Sequence, residues 1–103
     1  MDEATVITTA IRHLRDSYGI SYRPIVAIVS AMALNEKRSF ELGLNLWAEW
    51  KAEGKPHAWP ASRWRSEICY RLLKVGQTAP GGLEAWFEDR AKEVREIANR
   101  VYS

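Results

Sequence analysis

In the last twenty residues of the chain, Leu83, Phe87, Ala91, Val94, Ala98 and Val101 recur at three- and four-residue intervals. That spacing gathers them on one face of a helix and on no single face of a strand. Glu88–Lys92 and Glu96–Arg100 add ion pairs in the favourable i,i+4 order. Near the start, Ala4, Ile7, Ile11, Leu14 and Tyr18 repeat the pattern, which predicts a helix over 3–18. Asp2 and Glu3 at its beginning and Arg12 and Arg15 near its end suit the helix dipole, and Gly19 supplies a stop.

Between these two helices the pattern is less direct. The stretch IVAIVSAMAL (25–34) is apolar on nearly every side, so periodicity alone does not separate a buried helix from a buried strand. Its Ala, Met and Leu content favours a central buried helix. Residues 40–46 alternate apolar and polar as a strand does. On a helix, however, Glu41, Asn45, Glu49 and Ala52 form one polar stripe, and the helical pattern continues through AEWKAE. A helix over 35–53 is therefore expected, with an apolar arc of about 200°. An arc that wide requires either a central position or a covering chain.

Two breakers interrupt the rest. GKPHAWP (54–60) contains two prolines and a glycine, and GQTAPGG (76–82) one proline and three glycines. Helices over 61–75 and 83–102 lie between and after them. The expected architecture is an all-α fold, a compact bundle of about five helices in a single domain spanning 1–103.

Several chemistries find no support. GQTAPGG has glycines at phosphate-loop spacing, but Gly82 and Leu83 stand where Lys and Ser or Thr are needed, and a helix precedes it instead of a strand. One cysteine and two histidines cannot make an internal disulfide or a structural zinc site. Cys69 and His57 could in principle form a nucleophilic pair, yet Cys69 falls beside the apolar side of its helix, as a small core residue does. His13 projects away from the first apolar stripe. Glu84, Glu88 and Asp89 stand among Lys92, Arg95 and Arg100, as on a solvated, charge-balanced face. The expectation is a protein without enzymatic activity, cofactor or metal. No apolar run approaches the roughly 18 residues of a membrane span, and the acidic start MDEATVITTA is unlike a signal peptide. A cytoplasmic location with no membrane partner is expected.

Charge, by contrast, is unevenly placed. The net charge of +2 arises from −1 over residues 1–54, +4 over 55–75 and −1 over 76–103. In the middle segment Lys55, Arg63, Arg65, Arg71 and Lys74 face a single acid, Glu67. On the 61–75 helix, Trp64, Ile68, Leu72 and Val75 fall within an arc of about 80°, and Arg63, Tyr70 and Lys74 within about 40° on the other side. Arg65 falls on the apolar side. A helix buried on one face and basic on the other suits phosphate neutralisation, with an aromatic ring to stack on a base. The candidate nucleic-acid-binding residues are Lys55, Arg63, Arg71 and Lys74 for phosphate contact, and Tyr70 and Trp59 for stacking. The seven-residue GKPHAWP loop is too long for a helix-turn-helix, whose turn takes three or four. The alternative is a protein–protein interaction or inhibitor protein, of the accessory kind that phages carry, using the same Trp- and Arg-rich surface. A homodimer through Phe87, Val94 and Val101 is its symmetric version, although the stripe runs for fewer than three heptads.

Overall fold

The computed structural model describes residues 2–54 and 59–103. These form five α-helices and, among the described residues, no strand: α1 (Glu3–Tyr18), α2 (Tyr22–Met32), α3 (Glu36–Ala52), α4 (Ala61–Lys74) and α5 (Leu83–Tyr102). The all-α reading holds, and both segments with strand-like signals, 25–34 and 40–46, lie in helices or the turn that follows α2.

The helix ends follow from local chemistry. Asp2 caps α1 by accepting the Thr5 backbone N–H at 2.7 Å, which holds its carboxyl below the usual carboxylate range. Gly19 ends α1 at φ 68°, and its N–H donates to the Arg15 carbonyl while Ile20 donates to Leu14. Asn35 opens α3 by accepting the Arg38 N–H at 3.1 Å. α2 begins a turn earlier than the apolar run suggests, at Tyr22. Pro24 is tolerated there because first-turn N–H groups have no intrahelical partner to lose.

α2 is the axle of the fold. Every residue from Pro24 to Ala31 is buried, and the other four helices all touch it. Around it α1 contacts α5, α5 contacts α4, and α4 contacts α3. The ring stops there: the backbones of α1 and α3 do not approach one another. The gap between them is a cleft of about 1000 Å³, floored by α2 and α5.

The broad apolar arc of α3 therefore belongs to an outer helix. Its centre, Leu46 and Trp50, is buried, while Phe40, Leu42, Leu44 and Trp47 on the flanks are half-buried. Local side chains cover part of the remainder: His13 stacks on Phe40, and the Lys51 ammonium lies 4.9 Å from the Trp47 ring centroid. Small residues bring α3 against α2. Ser39 is fully buried and donates its hydroxyl to the Ala31 carbonyl at 2.9 Å, beside the Leu34 N–H that the same carbonyl accepts at 3.2 Å.

The stripe of α5 faces inward. Phe87 and Val94 are buried and Val101 half-buried within this chain, so the residues considered for a homodimer seam lie in its own core. The end of α5 is tied to the α1–α2 turn. Tyr102 donates its hydroxyl to the Ile20 carbonyl at 2.7 Å, and Arg15 donates to the Val101 carbonyl at 2.8 Å. Burial pushes the Tyr102 phenol up to about 12. A folded-state value above the unfolded one, near 10, stabilises the fold fully below pH 10, and the contribution is lost as pH rises from 10 towards 12. Urea unfolding of wild type and Tyr102→Phe should therefore differ by about 1 kcal/mol near neutrality, for the lost hydrogen bond, and the gap should close and then reverse in sign as pH rises from 10 towards 12. A gap that stays constant up to pH 12 would contradict this anchoring.

Candidate functional site

α4 lies between α3 and α5, and its apolar side holds it there: Trp64, Ile68, Cys69 and Leu72 are buried. The five cations of the basic segment do not share one role. Arg71 reaches across to Glu49 of α3, Nη2 to Oε2 at 2.5 Å. Arg65, on the apolar flank, pairs with Glu88 of α5. These two side chains are mostly buried and tie α4 to its neighbours. Arg71 is thus an inter-helix contact in this structure, since its charge is met by a carboxylate 22 residues away.

Arg63 and Lys74 differ. Both are exposed, and neither forms an ion pair with the described residues. The Arg63 guanidinium sits 4.3 Å above the Trp59 ring, and the Lys74 ammonium 4.6 Å from the Tyr70 ring centroid. Tyr70 itself is 56% exposed. Arg63 and Lys74 are eleven residues apart, about 16 Å along the axis, with Tyr70 between them. Glu67 is half-buried beside them, so the exposed face carries a modest positive charge.

Trp59 has a different place from the one its loop position suggests. It is half-buried with its ring 4.6 Å from Trp64, which in turn lies 5.4 Å from Trp50. Arg63, Trp59, Trp64 and Trp50 form one column from the surface to the core. The indole of Trp59 serves as the seat of Arg63, which leaves Tyr70 as the ring open to a base. Lys55 and His57 lie outside the described residues.

The sequence reading missed Leu73, which is 59% exposed beside Tyr70. The signal for it was available, because Leu73 falls about 140° from the centre of the Trp64, Ile68, Leu72 and Val75 stripe on a helical wheel. Cys69 is buried, and its thiol is pushed up by that burial and by the charge of Glu84, which disfavours the nucleophilic thiolate. Among the described residues no group of three or more His, Cys, Asp or Glu side chains could hold a metal ion. Nor is any described helix long and apolar enough to cross a membrane.

Compared with protein-family models, curated proteins and solved structures, the chain finds no match among any of the three.

Proposed function

We propose that this is a non-enzymatic, cytoplasmic nucleic-acid-binding protein whose exposed α4 face holds the sugar-phosphate backbone. The observation that carries the reading is the exposed Tyr70 ring lying between two cations, Arg63 and Lys74, that no carboxylate of the described residues pairs with. Two or three phosphate contacts and one ring suit an unpaired strand better than a duplex, because stacking adds affinity that so few charges do not supply. Arg63, fixed on Trp59, and Lys74 bind phosphates about 16 Å apart along the strand, and Tyr70 stacks on a base between them.

The test is the double substitution Arg63→Glu with Lys74→Glu, beside Tyr70→Ala. Both sites are on the surface, so the circular dichroism spectrum and urea midpoint should stay near wild type. Oligonucleotide binding measured by fluorescence anisotropy should vanish in the double variant. It should weaken roughly 5- to 150-fold in Tyr70→Ala, the range of one base–aromatic stack. A folded double variant that binds as wild type does refutes the assignment.

A second reading rests on Leu73. An exposed Leu73–Tyr70 pair flanked by Arg63 and Lys74 also has the make-up of a protein-interface anchor, which would make the chain an accessory or inhibitor protein acting on a protein partner. Leu73→Ser separates the two readings. It leaves phosphate contacts and stacking in place, so strand binding persists under the first reading, whereas binding of a protein partner is lost under the second.

A further inference from the structure

We infer that the cleft between α1 and α3 is a binding site for a small, uncharged amphipathic molecule, one with an elongated apolar body and a single hydroxyl or carbonyl group. α4 contributes nothing to this cleft, so the inference stands apart from the reading of the basic face.

The cleft is built from apolar side chains on all its surfaces. Val6 and Ala10 of α1, Met32 of α2, Phe40 of α3 and Val94 of α5 line it, and Val6 is 50% exposed there. Its volume, about 1000 Å³, is at the upper end of the range for small-molecule sites. Ser30 of α2 lies in the floor. It is 1% exposed, and its hydroxyl has no hydrogen-bond partner among the described residues. A buried hydroxyl without a partner disfavours the fold, whereas an alanine there would not. A ligand hydroxyl or carbonyl that reaches Ser30 gives that group a partner the described residues do not supply, because a serine hydroxyl both donates and accepts.

The charges around the cleft point to a neutral ligand. Glu3 and Arg90 pair with each other, and Glu36, Lys37 and Glu41 on the α3 wall alternate in sign. The ends define its length. The rings of His13, Tyr18 and Phe40 meet across the gap, with centroids 5.7–6.2 Å apart, and the Glu3–Arg90 pair stands at the opposite end of the α1 wall. Ten residues separate Glu3 from His13, about 15 Å of helix, while the α3 wall from Asn35 to Glu41 offers only about 9 Å. A partner helix needs anchors over two full turns, about 11 Å, on both walls. The shorter wall and the side chains across the ends favour a small molecule.

The test uses 1-decanol as probe, with decanoate and decylamine as charged counterparts, followed by amide NMR shifts and thermal unfolding of the full chain. 1-Decanol should raise the midpoint by several degrees and shift the amides of Val6, Ala10, Ser30 and Phe40, and the charged probes should act at least tenfold more weakly. Ala10→Leu, which fills the cleft, should abolish the effect. Val6→Lys at the half-exposed wall, which leaves the core untouched, should weaken it even if Ala10→Leu proves poorly folded. Ser30→Ala should fold with a higher midpoint than wild type yet bind 1-decanol about two- to tenfold more weakly. The inference is overturned if 1-decanol causes no shift, if its shifts map elsewhere, or if Ser30→Ala and Val6→Lys both bind as wild type does. Binding of an amphipathic helical peptide at these same residues in place of 1-decanol would also overturn it.

Discussion

Trp64→Ala should lower the free energy of unfolding by about 3–5 kcal/mol, a large share of the roughly 5–15 kcal/mol that holds a domain of this size. Trp64 is 1% exposed on the inner face of α4 and touches both Trp50 and Trp59. Removing it takes away the area the indole buries and leaves a cavity that three helices cannot close without moving. The loss extends to the surface, because Trp59 rests on Trp64 and Arg63 rests on Trp59. Trp64→Phe, which keeps an aromatic ring in the site, should cost clearly less. Urea unfolding followed by circular dichroism measures both. A Trp64→Ala protein within about 1 kcal/mol of wild type would show that this column is not a principal part of the core.

Gly43→Ala should also destabilise the fold, against the direction helix propensity alone predicts. In an exposed helix interior the change gains about 1 kcal/mol. Here a methyl group on residue 43 would meet Ile28 Cγ1 at 2.6 Å and Cγ2 at 2.8 Å, and Ile28 is wholly buried in the central helix. A branched, fully enclosed side chain has no free rotamer to retreat to. Overpacking of this kind costs about 1–3 kcal/mol, and contact with two carbons at once puts it at the upper end. The expected net loss is about 1–2 kcal/mol. The Ile28→Ala, Gly43→Ala double variant should lose less than the sum of the two single changes, because the first makes room for the second. A Gly43→Ala protein more stable than wild type would mean that α3 does not lie so close to α2.

What the sequence made legible was local. Gly19, the acidic start at Asp2 and Glu3 and the stripe from Leu83 to Val101 all act within one helix, and their chemistry is visible in a few neighbouring residues. The burial of Ile25–Ala31 was visible as well, since a segment apolar on every side has to be enclosed. The features it concealed depend on which helices become neighbours. Arg71 looked like a free cation because Glu49 stands 22 positions away and on the far side of a loop. Arg65 fell on the apolar face of its helix with nothing nearby in sequence to answer it, and its partner, Glu88, belongs to α5. Trp59 looked like a surface indole for the same reason, its support being Trp64 on the following helix. The open seam between α1 and α3 has no sequence signature at all. It exists because four helices surround α2 without closing the ring. Of the basic site, the Arg63, Tyr70 and Lys74 face was legible from helical spacing alone, and the structure leaves these three exposed.

The most direct test of the central claim is a titration of the folded chain with single-stranded and duplex oligonucleotides of mixed sequence, read by tryptophan fluorescence and anisotropy at several salt concentrations. With Arg71 engaged by Glu49, two or three cations remain for phosphate. For a single strand, log K should then fall with log salt at a slope of about −1.4 to −2, and the single strand should bind more tightly than the duplex. Trp59, beneath Arg63, should report the contact. Flat titrations with both oligonucleotides at low salt would contradict the account and turn the α4 face over to a protein partner.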